Sequence, residues 1–255
     1  MKRLCMFFGA IVLALALAHQ SRATLVQGFE GNPTIDSTGD ASIKSTYQGV
    51  AAPQGSNQFL ITTINEAGAD GSDGYSHQSS SDAVINSALQ TFAGLSLSGT
   101  EGSAFKLSIT VPVGLDTISF QYDFLTNELP SGGGVIQHKD FAFYALFNGA
   151  TLVSSSLSLA TPDSINFNDA ARQLATGPVA TNPFSFDSGY ATFNKSGLAP
   201  GSYTLVLGVE DKTNSDTPSG LLVDNVSVVP EPTALVLAIA GAGLLVGVKR
   251  IRRRA

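Results

Sequence analysis

Apolar and polar residues alternate with a period of two along much of the chain between residues 24 and 229. This alternation puts apolar side chains on one face of an extended segment and is typical of β-strands. Clusters of Gly, Pro, Asn and Asp separate the alternating stretches and predict turns. The pattern predicts strands at 24–30, 58–64, 104–111, 117–126, 140–147, 202–210 and 221–228.

One segment has helical spacing instead. Asp82 is a suitable N-cap for residues 83–95, whose apolar positions form one stripe: Val84, Ile85, Ala88, Leu89 and Phe92. The stretches 65–81 and 160–186 follow neither period and are predicted to be long loops. Many strands and one short helix predict a mostly β fold, an antiparallel β-sandwich.

The N-terminal residues have the three parts of a secretory signal peptide. Met1–Arg3 is basic, residues 4–18 are apolar, and Ser21 and Ala23 place small residues before a cleavage site after residue 23. The alternative is an uncleaved membrane anchor. Residues 24–229 are then the exported domain.

A second apolar stretch, residues 233–248, lies near the C-terminus. As a helix it spans about 24 Å, which is the short limit for a transmembrane helix. The basic tail 249–255 would keep that end in the cytoplasm; its charged residues are Lys249, Arg250, Arg252, Arg253 and Arg254. The domain would then lie beyond the inner membrane, in agreement with the signal peptide.

The charge and cysteine content of the exported domain exclude several functions. Residues 24–229 contain 6 basic and 19 acidic residues, a net charge of −13, which argues against nucleic-acid binding. Cys5 is the one cysteine and lies in the signal peptide. A mature chain without cysteine has no disulfide scaffold, no thiolate metal site and no thiol nucleophile.

The C-terminal 26 residues, 230–255, resemble the PEP-CTERM sorting signal of Gram-negative bacteria. The motif Pro230, Glu231 and Pro232 comes first, then the apolar helix at about 233–248, then the Arg-rich tail. The resemblance implies an exosortase that recognises the motif and a helix that anchors the protein until processing releases it to the cell surface or medium. It also implies association with exopolysaccharide. The alternative is an ordinary anchor that is never processed.

The exported domain resembles the jelly-roll ectodomains of such proteins, which are similar to galactose-binding-like and carbohydrate-binding-module sandwiches. The resemblance rests on residues 101–128, 139–149, 200–211 and 220–232. It implies that the first and last strands are neighbours, and that an acidic residue from each holds a structural calcium ion. The matching residues are Glu30 and Asp224.

Asp224 is a charged residue at an apolar position of the predicted last strand. The alternation places it on the face of Leu222, Val226 and Val228, which we expect to point inward. A buried carboxylate must be paired, hydrogen-bonded or bound to a metal, and Ca²⁺ prefers such oxygen ligands. The alternative to calcium is an Asp224 side chain that is hydrogen-bonded to loop amides.

A second acidic group lies at predicted strand ends: Asn127, Glu128, Asp140, Glu210 and Asp211. These residues could meet at one rim of the sandwich and form a second cation site or a site for sugar hydroxyls. The alternative is a set of solvated rim charges.

Catalytic motifs are poorly represented. The chain has neither a G-x-S-x-G nor an H-E-x-x-H motif, and His77 and His138 are interpreted as loop residues. Glu128 with Asp140 is the one carboxylate pair considered for glycoside hydrolysis. We therefore predict a non-catalytic cell-surface or extracellular-matrix protein. The alternatives are a calcium-dependent carbohydrate-binding module, which the absence of Trp disfavours, and a polysaccharide hydrolase.

Overall fold

The structure is a computed structural model that describes residues 24–27, 29–30, 35–63, 89–99, 101–128, 140–174, 184–212 and 218–230. Residues 89–93 are α-helical, and Pro162–Ser164 and Ala170–Arg172 form short 3-10 helices. The strands of this part of the chain are β1 (Thr24–Gln27), β2 (Asp36–Thr38), β3 (Asp40–Lys44), β4 (Thr46–Tyr47), β5 (Val50–Ala51), β6 (Gln58–Thr62), β7 (Glu101–Val111), β8 (Thr117–Thr126), β9 (Phe141–Asn148), β10 (Thr151–Ala160), β11 (Phe186–Asp187), β12 (Ala191–Lys195), β13 (Gly201–Asp211) and β14 (Ser219–Val229).

Antiparallel pairing joins these strands into two large sheets. One sheet has seven strands, ordered β11-β8-β14-β6-β3, with β1 also paired to β14 and β12 to β8. The other has five strands, ordered β10-β9-β13-β7-β2. The short strands β4 and β5 form a separate hairpin. The mostly β, antiparallel sandwich predicted from the alternation is therefore confirmed for the described residues.

The main core lies between the two sheets and is rich in phenylalanine. The ring centroids of Phe59 and Phe105 are 4.5 Å apart, and those of Phe29 and Phe59 are 5.4 Å apart. All three side chains are buried. Burial of each phenylalanine stabilises the fold by roughly 1.5–3 kcal/mol, so this cluster fixes the position of the segment after β1 against both sheets.

The helical residues cover the outer face of the five-stranded sheet. Leu89 and Ala93 pack on Phe141 and Phe143, whose side chains point away from the main core. Gly94, with φ of +66°, ends the helix in the left-handed conformation that glycine adopts without strain. The predicted helix is thus confirmed at 89–93, and its predicted start at residue 82 lies outside the described residues.

A bulge in β14 overturns one prediction about Asp224. Register against β8 shifts between Asp224 and Ser227, and Asn225 has φ of +52°. Such a bulge moves the residues after it to the other face of the strand. Leu222 packs on the outer face of the seven-stranded sheet, and Asp224 shares that face. The residues of β14 in the main core are Leu221, Val223, Val226 and Val228.

Several strands were absent from the prediction, and the longest is β10. The run Ser154–Ser156 interrupts its alternation, and most of the strand is exposed. The predicted loop 160–186 contains the two 3-10 helices and ends where β11 begins. The predicted signal peptide, the loop 65–81 and the predicted transmembrane helix lie outside the described residues. Within the residues that are described, no helix is long and apolar enough to cross a membrane.

Candidate functional site

Four strand ends meet at one end of the sandwich. β8 ends at Thr126 beside Ser219, the first residue of β14, and the two hydroxyl oxygens are 2.9 Å apart. In the other sheet, Phe141 at the start of β9 pairs with Glu210 near the end of β13. The residues just beyond these strand ends therefore bring side chains from both sheets to one edge.

Three of the predicted acidic residues converge at this edge, and we name them the acidic rim: Glu128, Asp140 and Asp211. The amide of Asp140 donates to Oε2 of Glu128 at 3.1 Å, so the segment after β8 contacts the start of β9. The amide of Lys212 donates to Oδ1 of Asp140 at 3.2 Å. Asp211 lies two residues after Val209 in β13, so the two side chains point to the same face of the strand. Val209 packs in the main core between the sheets.

The other two residues of the predicted group point elsewhere. Oε1 of Glu210 accepts a hydrogen bond from the amide of Gly99 at 2.6 Å, on the outer side of the five-stranded sheet. Oδ1 of Asn127 accepts one from the hydroxyl of Ser185 at 2.6 Å. The five residues expected at one rim therefore divide into the acidic rim and two side chains that hold neighbouring loops.

The acidic rim is buried, contrary to the alternative of solvated charges. Burial, together with repulsion from Asp211 and Glu128, raises the pKa of Asp140 to about 9. Burial also raises the pKa of Glu128 to about 7, with smaller contributions from Asp211 and Asp163. A buried carboxylate among like charges is stable only when a proton or a cation neutralises it.

Glu128 and Asp140 each have one oxygen atom that makes no hydrogen bond. These atoms are Oε1 of Glu128, a residue that is 3% exposed, and Oδ2 of Asp140, a residue that is fully buried. Buried polar atoms in native proteins nearly always have a partner, so these two oxygens call for an explanation.

Glu30 and Asp224 hold the loop between β5 and β6, residues 52–57, from two sides. Oδ2 of Asp224 accepts a hydrogen bond from the amide of Gln54 at 2.8 Å. Glu30 accepts hydrogen bonds from the amides of Ser56 at 2.6 Å and Asn57 at 2.9 Å. These contacts agree with the alternative in which loop amides satisfy Asp224, and calcium binding at the two residues stays a prediction.

The two carboxylates of this pair have opposite electrostatic environments. Hydrogen bonds from the amides of Ser56 and Asn57 hold the pKa of Glu30 below its ordinary value. Burial raises the pKa of Asp224, and the charge of Glu30 adds to this shift. Oδ1 of Asp224 has no hydrogen-bond partner.

The first and last strands are neighbours, as the resemblance implied, because β1 pairs with β14.

A third polar group, which we name the outer polar cluster, lies on the outer face of the seven-stranded sheet: Gln58, Asp123, Arg172, Asp187 and Tyr190. Arg172 and Asp187 form a salt bridge at 2.8 Å, and the hydroxyl of Tyr190 donates to Gln58. Burial, reinforced by the charge of Asp187, raises the pKa of Asp123 to about 7. Sequence reasoning missed this cluster, although a charge inside the apolar strand β8 was a visible signal.

The acidic groups supply oxygen ligands for a metal ion, but they do not form a complete metal site as they stand. Among the described residues, no three acidic, histidine or cysteine side chains are already grouped as the ligands of a metal ion. The acidic rim offers oxygen ligands alone, which suit Ca²⁺ or Mg²⁺. A cation at the acidic rim would therefore have to draw the carboxylates together. His77 and His138 lie outside the described residues.

No protein-family model matches the chain, and no curated protein matches it. Solved structures with a similar fold include the carbohydrate-binding module TmCBM61 in complex with β-1,4-galactotriose, at 9% identity and a TM-score of 0.39, over 82% of this chain and 99% of that one. The K2 cleaved adhesin domain of Lys-gingipain is 10% identical, with a TM-score of 0.33, over 79% of this chain and 95% of that one. The Agl-KA catalytic domain is 14% identical, with a TM-score of 0.36, over 84% of this chain and 29% of that one.

Proposed function

We propose that the chain is an exported, non-catalytic cell-surface or extracellular-matrix protein that associates with exopolysaccharide. The observation that carries this proposal is the junction at the end of the sandwich: β14 ends at Val229, and the motif Pro230, Glu231 and Pro232 follows at once. A sandwich of jelly-roll type is then delivered to the surface by its two terminal signals.

Sorting by an exosortase is tested by cell fractionation of the native host. Deletion of residues 230–255 should release the protein to the periplasm or medium. The matched variant replaces Pro230, Glu231 and Pro232 with alanine and keeps the helix and the basic tail. It should stay in the inner membrane without being processed. If both variants fractionate like the wild-type protein, the C-terminal segment is not a sorting signal.

The burial of Glu128 and Asp140 supports a non-catalytic role. This is the carboxylate pair considered for hydrolysis, and both residues are inaccessible to a polysaccharide chain. The purified full-length protein should give no turnover on the host exopolysaccharide or on a panel of plant and bacterial glycans. Turnover that disappears in Glu128→Gln would establish the hydrolase alternative and contradict this part of the proposal.

A more specific form of this proposed function is that of a calcium-dependent carbohydrate-binding module. The observation that favours it is the convergence of Glu30 and Asp224 on one loop, with Oδ1 of Asp224 buried and unpartnered. Calcium there would neutralise Asp224 and hold the loop 52–57 against the sandwich. Extracellular calcium modules have dissociation constants of about 10⁻⁴–10⁻³ M, so binding should respond to chelators at ordinary concentrations.

Retention on the host exopolysaccharide tests this version. The full-length protein should bind an exopolysaccharide column in calcium and leave it in EGTA. The double variant Glu30→Gln and Asp224→Asn should lose retention, whereas the exposed-site control Asp36→Asn should keep it. Retention of the double variant in calcium would show that these residues do not serve glycan binding through calcium.

A further inference from the structure

The acidic rim lies at the end of the sandwich where segments of both sheets meet, and it is separate from Glu30 and Asp224. We propose that Glu128, Asp140 and Asp211 bind a second divalent cation, calcium by the chemistry of their oxygens, which ties the two sheets together at this edge. The inference does not depend on glycan binding or on sorting, because it concerns carboxylates that the proposed function does not use.

The two unpartnered oxygens are the observation that points to a ligand. Oε1 of Glu128 and Oδ2 of Asp140 are buried, and neither accepts a hydrogen bond of normal geometry. The hydroxyl of Ser219, which pairs with that of Thr126, also acts on the Asp140 carboxyl and lowers its pKa, but less than burial raises it. The remaining oxygens of these side chains are fixed by the amides of Asp140 and Lys212. One oxygen of each carboxylate is thus held by the backbone, and the other is left for a further partner.

The charges that raise the pKa values of Glu128 and Asp140 belong to acidic side chains. Asp211 and Glu128 act on Asp140, and Asp211 and Asp163 act on Glu128. Asp163 is exposed, in a 3-10 helix after β10. Like charges at close range in a buried position repel strongly, and a divalent cation converts that repulsion into attraction.

The ligands come from both sheets, which gives the cation a structural effect. Glu128 follows β8 of the seven-stranded sheet, whereas Asp140 and Asp211 flank β9 and β13 of the five-stranded sheet. A cation held by all three would resist separation of the sheets at this edge. Ca²⁺ takes six to eight oxygen ligands in flexible geometry, so waters would complete the shell.

The two calcium sites can be tested separately, because they share no ligand. Glu30 and Asp224 hold the loop 52–57, whereas the acidic rim joins residues at the ends of β8, β9 and β13. A substitution at Glu30 therefore leaves the acidic rim intact, and a substitution at Glu128 or Asp140 leaves Glu30 and Asp224 intact.

The experiment is calorimetric titration of calcium chloride into the chelator-treated full-length protein at pH 7. Glu30→Gln, the matched control at the other site, should keep a calcium-binding event. That event should disappear when Asp140→Asn or Glu128→Gln is added to Glu30→Gln. No calcium binding in Glu30→Gln, or binding that both added rim substitutions leave unchanged, would overturn the proposal.

Thermal unfolding separates loss of binding from loss of folding. At calcium a hundredfold above its dissociation constant, the melting temperature of the wild-type protein should rise by about 5–10 °C. Asp140→Asn should lose most of this rise. In chelator at pH 8 it should melt no lower than the wild-type protein, because Asn keeps an acceptor for the amide of Lys212 and needs neither a proton nor a cation to be buried. If Asp140→Asn does not fold, Glu128→Gln gives the same comparison. A full calcium-dependent rise in the variant that folds would contradict the site.

Discussion

Asp123 of β8 gives the clearest prediction of a stability change, because its carboxyl is almost completely buried beside a second acidic residue. Oδ1 of Asp123 accepts a hydrogen bond from the hydroxyl of Ser188 at 3.1 Å, and Asp187 lies close enough to raise its pKa. Asn at this position keeps an acceptor for Ser188 and removes the charge. We expect Asp123→Asn to stabilise the protein at neutral and alkaline pH.

The magnitude follows from the pKa of Asp123, which burial raises from 3.8 to about 7. Such a rise corresponds to roughly 4 kcal/mol of destabilisation when the group is ionised. Relaxation around the charge reduces this figure, so we expect a gain of about 2–4 kcal/mol for Asp123→Asn. The folded state keeps its proton between about pH 4 and pH 7 while the unfolded state has lost it. The gain should therefore be near zero at pH 4, grow to pH 7, and stay constant above.

Guanidinium denaturation of both proteins in chelator, at intervals from pH 4 to pH 8, measures this difference. Both proteins contain the other buried carboxylates, so the titration of those groups cancels when one free energy of unfolding is subtracted from the other. Asp36→Asn is the matched control at an exposed carboxylate, and it should change the free energy of unfolding by less than about 0.5 kcal/mol. A difference for Asp123→Asn that is independent of pH, or a loss of stability at pH 8, would show that burial of the Asp123 carboxyl does not destabilise the fold.

Three further predictions concern packing and the loop 52–57. Gly208→Ala should cost about 1–3 kcal/mol in thermal denaturation, because the added methyl group would overlap the ring of Phe143; an unchanged melting temperature would contradict this contact. Phe105→Ala should cost about 3–5 kcal/mol in the same assay, as expected for a fully buried ring, and a cost below 1 kcal/mol would be inconsistent with the core described. Glu30→Ala should accelerate amide hydrogen exchange in residues 52–57 without changing exchange in β13, and equal protection in both proteins would show that Glu30 does not hold the loop.

The strands with strong alternation could be predicted from the sequence, and the weakly patterned ones could not. All seven predicted strands are present, and the six whose side-chain burial is described each bury at least one apolar face. β10 was missed because it is a mostly exposed edge strand, so its residues carry little of the apolar signal. The bulge at Asn225 was also missed, since the left-handed conformation of one residue leaves no trace in the hydrophobic pattern.

The site residues that lie at strand ends could be predicted from the sequence. Glu128, Asp140 and Asp211 flank strand ends, and antiparallel pairing brought them together as expected. Glu210 was wrongly grouped with them because neighbouring residues of a strand point to opposite faces. The outer polar cluster depends on contacts between distant segments, such as Asp123 with Ser188, which a single sequence does not reveal.

Retention on the host exopolysaccharide decides whether the protein associates with this polysaccharide through calcium. The full-length protein is applied to the immobilised polysaccharide in millimolar calcium and then washed with EGTA. We predict retention in calcium and release in EGTA. Passage of the protein through the column in both buffers would contradict association with exopolysaccharide, and retention that EGTA does not reverse would contradict its dependence on calcium.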